Sequence, residues 1–346
     1  KQQDSMAAAI SKQALNGATL DVVWNMTLAA NIISANVQYG QIEKIKEVAG
    51  VQEVILENRY EPCVVKQEET ADPNMATSDK MIGSSAAWAA GYTGAGSRIA
   101  IIDTGADVDH PSLDPDALKY ALQGSNATIM TEADLTDEVL NQLNAYTRKA
   151  GLTAADFYVN EKIPFGFNYV DADTDITHDN DTQGDHGSHV TGIAAGNRFV
   201  KDEAGNYVAA LDSVMTQGVA PDAQILTMKV FGKRGGAYDS DYMVAIEDAM
   251  VLGADAANLS LGGSFPGYSE YTEEKYRHIL DEIVGSGMVV TISAGNSGSW
   301  FDQTAFGLPY AGSVNWATNG SPGSYVNSLC VASVGRYRQL SEGQRS

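Results

Sequence analysis

Cysteine is nearly absent from this sequence. Only Cys63 and Cys330 occur in 346 residues, far apart and outside any Cys-x-x-Cys pattern. Zinc fingers, iron–sulfur clusters and disulfide-rich scaffolds all need several cysteines at short spacings. The sequence therefore excludes these three classes.

Basic residues are also few. Lysine and arginine number 22 against 44 aspartates and glutamates, which gives a formal net charge of −22. Such a charge repels phosphate backbones and anionic membrane surfaces. We therefore expect no nucleic-acid partner.

Long hydrophobic runs are missing as well. No apolar stretch approaches the roughly 20 residues that cross a bilayer, so we expect no membrane-spanning segment. The N-terminus, Lys-Gln-Gln-Asp-Ser, lacks the basic start and hydrophobic block of a signal peptide. A processed start and a cytoplasmic one are both compatible with it.

The composition is nevertheless that of a folded protein. Hydrophobic residues make up 44% of the chain and charged residues 19%, which is a globular balance. At ordinary domain sizes this length predicts two folded units, or one large unit with an appendage.

Residues 1–65 are predicted to form a small α+β domain. The patterns favour a helix over residues 5–15, strands over 21–28, 31–37 and 51–57, and a helix that carries Ile42, Ile45 and Val48. A polar, acidic segment follows, typical of an exposed and protease-sensitive linker. We place this linker at residues 66–75 and a second domain at residues 76–346.

The second domain is predicted to be α/β. Its strands are apolar throughout and alternate with helical segments, as a doubly wound, mostly parallel sheet requires. The predicted strands cover residues 98–103, 224–231, 256–261, 288–294 and 329–334, and the predicted helices cover residues 186–196 and 239–252. Residues 114–162 are interpreted as a polar insertion with few core positions.

A carboxylate ends the first of these strands, in Ile-Ala-Ile-Ile-Asp103-Thr-Gly. Sites in open α/β sheets are built at the carboxyl ends of strands, which favours a functional role for Asp103. This segment alone leaves two alternatives. One is an aspartate that caps a turn, and the other is an aspartic peptidase, which would need dimerisation to supply the second carboxylate that shares its proton.

Two histidines begin a predicted helix in Gly184-Asp-His186-Gly-Ser-His189. A histidine with a buried carboxylate partner can act as a general base near neutral pH, whereas an isolated histidine at a helix start more commonly caps or packs. A metal site is a third interpretation, because aspartates precede the pair at positions 171, 173, 175, 179, 181 and 185. The sequence contains no His-Glu-x-x-His signature, which argues against a catalytic zinc site.

Two further buried strands run into glycines. Ser-Ala-Gly-Asn296 ends in a single amide, which can donate to a developing oxyanion or simply occupy a turn. Asn258-Leu-Ser260-Leu-Gly-Gly263 presents backbone that an extended ligand can approach closely. Each segment is a weak signal on its own.

The order of these motifs, a strand-end aspartate, then HGxHVxG, SLGG and SAGN, resembles that of the subtilisin-like serine peptidases over nearly all of residues 73–335. The segments Lys162-Ile-Pro-Phe-Gly-Phe-Asn-Tyr-Val-Asp and Gly320-Ser-Pro-Gly-Ser are similar to the lactocepin and C5a-peptidase branch of cell-envelope proteinases. The resemblance implies a secreted or cell-surface serine endopeptidase that acts on protein or peptide substrates. It also implies that residues 1–65 are an inhibitory propeptide, an intramolecular partner of the peptidase domain.

The resemblance implies a role for each motif residue. Asp103 would orient the imidazole of His186, and His186 would deprotonate the nucleophile. Asn296 would donate to the oxyanion, and His189 would pack. The substrate channel would be lined by Ser260, Leu261, Gly262 and, more loosely, Gly235 and Gly236.

The nucleophile departs from the family pattern. Members of the family carry Gly-Thr-Ser-Met-Ala downstream of Ser-Ala-Gly-Asn, and no such segment occurs before Ser346. Ser321-Pro-Gly-Ser324 lacks the motif and corresponds to a region upstream of it. We therefore expect an incomplete peptidase domain that is inactive by itself. A non-catalytic binding or inhibitory module is the alternative.

No cofactor is expected. His110-Pro111 is followed by Ser112, where many family members have an acidic residue that binds calcium. Calcium stays open as a ligand whose site the sequence does not predict, and no other metal is predicted.

Overall fold

The computed structural model describes residues 2–62, 78–233, 235–263, 281–283, 285–296, 320–325 and 328–332. Its helices are α1 (Gln2–Gln13), α2 (Ile42–Lys46), α3 (Ser78–Ile82), α4 (Ser84–Ala89), α5 (Pro115–Ala121), α6 (Asp137–Leu140), α7 (Asn144–Arg148), α8 (Ala154–Phe157), α9 (His186–Ala195), α10 (Ala210–Ser213) and α11 (Asp239–Val251). Short 3-10 helices cover Tyr39–Gln41, Pro111–Leu113 and Glu132–Asp134. Among these residues no helix has the length and apolar character needed to cross a membrane.

The strands are β1 (Asp21–Met26), β2 (Ile32–Asn36), β3 (Arg59–Pro62), β4 (Arg98–Asp103), β5 (Phe165–Asn168), β6 (Phe199–Lys201), β7 (Tyr207–Ala209), β8 (Gln224–Lys229), β9 (Ala237–Tyr238), β10 (Ala256–Leu259), β11 (Leu261–Gly262), β12 (Val289–Ser293) and β13 (Leu329–Val331).

Residues 2–50 pack around a small core of their own. Helix α1, the antiparallel hairpin β1–β2 and helix α2 bury Ile10, Leu20, Ile45 and Val48 in one cluster. The predicted helices and the first two predicted strands of this region are therefore present, with slightly different ends. The division into a domain at 1–65 and a linker at 66–75 stays a prediction, because residues 63–77, with Cys63, lie outside the described residues.

The predicted strand at residues 51–57 is wrong. Residues 51–58 have no regular secondary structure, and strand β3 begins at Arg59 instead. Its partners are β9 on one side and β11 on the other, both antiparallel to it and both far away in the sequence. A strand whose partners come from a distant part of the chain leaves little trace in local alternation.

A six-stranded parallel sheet forms the centre of the remaining chain, as predicted. Its order is β13-β12-β10-β4-β8-β5, and every neighbouring pair is parallel. The five predicted strands all occur within their predicted ranges. The sequence does not reveal the edge strand β5, because its four residues are too few to show a period.

Helices cover both faces of this sheet. On one face Ile101 and Ile225 pack with Ala195 of α9. On the other face Ile102 packs with Val244 of α11 in the largest buried cluster. Adjacent residues of β4 thus enter opposite cores, which is why the strand is apolar throughout. The doubly wound α/β class is confirmed.

The expectation of few core positions at residues 114–162 is wrong. Buried apolar side chains of this segment include Leu118, Met130, Leu135, Leu140, Leu143 and Phe157. They lie among short helical turns with polar capping boxes, such as Thr131 with Asp134. These polar residues separate the apolar ones, so the segment resembles a polar insertion in the sequence. Phe157 stacks on Phe165 of β5 with ring centroids 5.4 Å apart, and the segment thereby covers the edge of the sheet.

Candidate active site

Asp103 is held rigidly at the carboxyl end of β4. The strand lies between β10 and β8 in the sheet, and the Asp103 side chain is 1% exposed. Its Oδ1 accepts a hydrogen bond from the Thr104 amide at 2.7 Å. A buried carboxylate in this position can act on a neighbouring group without reorganising.

His186 supplies that neighbouring group. It is the first residue of α9, and its Nδ1 lies 2.8 Å from Asp103 Oδ1. A carboxylate at Nδ1 keeps the proton of the neutral ring on that nitrogen and stabilises the imidazolium when it forms. The lone pair is then on Nε2, which can accept a proton from a nucleophile.

Thr104 ties the histidine segment to the end of β4. Its Oγ1 accepts a hydrogen bond from the Gly187 amide at 2.8 Å and donates to the Gly184 carbonyl at 3.3 Å. The Asp-Thr-Gly segment therefore positions a histidine. An aspartic peptidase would need a second carboxylate beside Asp103, whereas the structure places the imidazole of His186 beside it.

A buried ion pair that the sequence motifs do not reveal supports this arrangement. Lys229 ends β8 opposite Asp103 in the parallel register. Its Nζ donates to the Thr104 carbonyl and to Asp181 Oδ2, each at 2.5 Å, and both charged side chains are 2% exposed. The pair joins the loop before His186 to the strand end that carries Asp103. The only sequence signal is a lysine at the end of an apolar strand.

Other aspartates before His186 accept hydrogen bonds from the loop and its neighbours. Asp171 accepts hydrogen bonds from the Asn168 side chain and the Lys233 amide, and Asp175 accepts one from Thr177. Within the described ranges no group of three or more potential ligands could hold a metal ion. His189 is exposed, so the expected packing role of its side chain is wrong.

The expected substrate channel holds a strand of the N-terminal region. Strand β3 pairs antiparallel with β11, which is Leu261–Gly262, and with β9 on its other side. Four residues of this chain, 59–62, therefore lie in extended form between two segments of the second domain. The channel has the shape needed to add one peptide strand.

Two glycines before β9 let this strand approach closely. Gly235 has a φ of +99°, and the Arg59 guanidinium takes the space of a Cβ there. A Cβ at Gly236 would overlap the carbonyl oxygen of Tyr60. A side chain at Gly236 would push the strand out of the channel. At Gly235 the positive φ itself favours glycine, because the Arg59 side chain is flexible and can move aside.

Asn296 and Ser260 lie at the same edge of the sheet. Asn296 follows β12 by three residues and has an exposed side chain, and Ser260 lies between β10 and β11, partly exposed. Because the carboxyl ends of parallel strands share one edge, both residues lie on the side of Asp103. Their roles stay predictions.

Comparison with known proteins points to one family. The family model described as "Subtilase family" matches residues 94–346. The PI-type proteinase of Lactococcus lactis subsp. cremoris is 31% identical over 312 residues, 88% of this chain and 14% of the proteinase. The minor extracellular protease Vpr of Bacillus subtilis (strain 168) is 28% identical over 285 residues, 80% of this chain and 25% of that protein. The C5a peptidase of Streptococcus pyogenes is 29% identical over 251 residues, 72% of this chain and 19% of that protein.

Proposed function

The chain belongs to the subtilase family, and from this premise we propose that it contributes the aspartate and histidine of a serine endopeptidase whose nucleophile these 346 residues do not supply. The resemblance to the lactocepin and C5a-peptidase branch is confirmed by the relatives. The chain spans only 14% of the length of the PI-type proteinase. Activity and substrates therefore remain proposals for the whole protein.

The observation that carries the proposal is the pair Asp103–His186. In the proposed reaction, His186 Nε2 takes the proton of a serine hydroxyl as the serine oxygen bonds to the scissile carbonyl carbon. The same proton then goes to the leaving amine, and water hydrolyses the resulting ester in a second round. Asp103 stabilises the imidazolium whenever it forms, through the hydrogen bond between Nδ1 and Oδ1 at 2.8 Å.

Asn296 is proposed to donate its side-chain amide to the oxyanion of the tetrahedral intermediate. Such a donor is most effective when the charge develops away from bulk water, and losing one typically lowers turnover about 100- to 1000-fold. Ser260, Leu261, Gly262 and Gly235 are proposed to bind the substrate as an added strand. No cofactor enters this chemistry.

The N-terminal region is proposed to be an inhibitory propeptide. Strand β3 fills the channel that a substrate strand would use, so a substrate cannot bind until β3 leaves. We propose that processing occurs between Val64 and Met75, outside the described residues. One relative is an extracellular protease of Bacillus subtilis, which supports secretion or display at the cell surface.

Labelling with a fluorophosphonate tests the proposal. The 346-residue chain should not react, whereas the full-length gene product should label at one serine in a Gly-Thr-Ser-Met-Ala segment. His186→Ala should abolish labelling in a protein that still folds. Stoichiometric labelling of a serine within these 346 residues, or a downstream reading frame without that segment, contradicts the proposal and favours a non-catalytic binding module.

A further inference from the structure

Strand β3 presents its side chains in strict alternation. Arg59 and Glu61 are half-exposed and form a salt bridge of 3.1 Å on the outer side. Tyr60, between them, is completely buried at 0% exposure. The side chain of Tyr60 is therefore fully enclosed by the second domain, whereas its two neighbours face solvent.

The space around Tyr60 is a closed, mostly apolar pocket. Tyr60 lies in register with Ala237 of β9 and belongs to the same buried cluster as Leu261 of β11. Its ring meets that of Tyr242 edge to face, with centroids 5.5 Å apart and an interplanar angle of 80°. This geometry suits a planar aromatic ring.

A carboxylate closes the end of the pocket. Asp239, the first residue of α11, is 7% exposed. Its Oδ1 accepts hydrogen bonds from the hydroxyls of Tyr60 at 2.9 Å and Tyr242 at 2.8 Å. Its Oδ2 accepts from the amide and the side chain of Asn58, at 2.6 and 3.1 Å.

Of the four donors just described, three thus come from residues 58–60. When β3 leaves, Asp239 keeps only the Tyr242 hydroxyl among them, and water must replace the rest. A carboxylate buried in an apolar wall is costly unless donors satisfy it. The pocket is therefore complementary to an extended strand that brings a backbone amide and a phenolic hydroxyl to this place.

We propose that Asp239 is a specificity-determining residue that selects tyrosine over phenylalanine at the substrate position now occupied by Tyr60. This inference rests on the proposed function, because it assumes that a substrate strand follows the path of β3. The path is set by β9 and β11, whose backbone groups offer β3 its only two partner strands among the described residues. A substrate that pairs with both must place one side chain beside Ala237.

The size of the selection follows from the chemistry. A site built around a hydroxyl discriminates against the analogue that lacks it, because its buried polar group loses a partner. Tyr242 still donates to the same oxygen, so the loss is partial. A hydrogen bond to a charged group corresponds to a preference of about 10- to 100-fold. The burial that raises the pKa of Asp239 to about 6 still leaves it an ionised acceptor at an assay pH of 8.

The first test uses the full-length enzyme after processing. Fluorogenic peptides containing Asn-Arg-Tyr-Glu-Pro should be cleaved with a kcat/KM about 10- to 100-fold above that of the matched peptide with phenylalanine in place of tyrosine. Asp239→Leu should abolish or invert this ratio. Asp241→Asn is the matched control and should keep the ratio. Asp241 is a buried carboxylate of the same helical turn, but it accepts a hydrogen bond from the Trp24 indole and not from Tyr60. A ratio near one in the wild type overturns the inference.

The second test needs no catalysis and uses the 346-residue chain. Tyr60→Phe should accelerate trypsin cleavage after Arg59 about 10-fold or more, because β3 opens more often. In the background of Asp239→Leu the same substitution should have little effect. If Tyr60→Phe changes nothing, the recognition of the hydroxyl is wrong even in an active peptidase. If this coupling is present while the full-length product neither labels nor hydrolyses any peptide, the proposed function fails and the pocket stands as a docking site for β3 only.

Discussion

Gly187 packs directly against Gly105, so that a Cβ at position 187 would overlap the Gly105 carbonyl oxygen. Gly187 is the second residue of α9, immediately after His186. The close approach of these two backbones places the start of α9 against the end of β4. The 2.8 Å contact between His186 and Asp103 therefore depends on the absence of a side chain at 187.

Gly187→Ala should displace the start of α9 and weaken the contact of His186 with Asp103. We expect a lower melting temperature of the 346-residue chain and, in the full-length enzyme, a large loss of fluorophosphonate labelling. Gly192→Ala is the matched control on the same helix, because a Cβ there meets no atom within 4 Å. Alanine favours a helix over glycine by about 1 kcal/mol, so this variant should be as stable or more stable. Equal behaviour of the two variants would contradict the packing argument.

Asp103→Asn should abolish most activity while the fold is kept. Asparagine preserves the shape and an acceptor for the Thr104 amide, but it no longer holds the His186 proton on Nδ1 or stabilises the imidazolium. We expect kcat of the full-length enzyme to fall about 10,000-fold, with an unchanged circular dichroism spectrum. Asp107→Asn, in the loop after β4, should retain activity, since the Asp107 carboxylate accepts a hydrogen bond from the Asp109 amide and does not contact His186 in the described structure. A mild effect of Asp103→Asn would argue against a triad.

The parts of the fold that the sequence predicts are those with strong local patterns. Strand β4 and its neighbours are apolar throughout because both faces are covered, and Asp103 stands out because it ends such a run. Helix α9 is recognisable by its small residues, and the motif order then implies that His186 meets Asp103. The structure brings these two residues together as that order implies.

The parts that the sequence does not predict depend on distant partners. Strand β3 is defined by β9 and β11, and the burial of Tyr60 arises only when these three meet. The ion pair Lys229–Asp181 joins the end of β8 to the loop before His186, and no short-range pattern connects the two. In residues 114–162 the buried side chains are spaced by turns, so neither the helical period nor the strand period appears.

Lys229→Met should destabilise the chain strongly. It removes one partner of an ion pair whose side chains are both 2% exposed, and it leaves the Asp181 carboxylate buried without its cation. Breaking such a pair costs about 3–5 kcal/mol, measurable as a lower midpoint of urea unfolding. The double variant Lys229→Met/Asp181→Asn should recover part of the loss.

Lys46→Met is the control for this experiment. Lys46 pairs with Glu43 at 2.8 Å, but the two side chains are 45% and 82% exposed, and such pairs contribute about 0–1 kcal/mol. A loss for Lys229→Met that is no larger than that of Lys46→Met would show that the buried pair is not required for stability.

The last prediction concerns pH and Asp248 on α11. This carboxyl is completely buried between α7 and β5, where the Asn144 and Ala145 amides and the Tyr169 hydroxyl donate to it. Burial, the largest influence, raises its pKa from 3.8 to about 7. Glu247, the preceding residue of the same helix, accepts a hydrogen bond from the Asn144 side chain as well.

A raised carboxyl pKa has a definite sign. Between about pH 4 and pH 7 the folded chain keeps a proton on Asp248 that the unfolded chain has lost, so the free energy of unfolding falls as the pH rises through this window and levels off above it. Asp248→Asn removes the titration but keeps a side chain of the same shape. The stability of the wild type relative to this variant should therefore decrease from pH 4 to pH 7 in urea unfolding of the 346-residue chain. Asp116→Asn is the control, because the hydrogen bond from Lys119 lowers the pKa of its exposed carboxyl below 3.8. This carboxyl titrates below the tested window, so the stability of the wild type relative to Asp116→Asn should change little from pH 4 to pH 7. A wild-type advantage over Asp248→Asn that grows with pH would show that the hydrogen bonds to this carboxylate outweigh its burial.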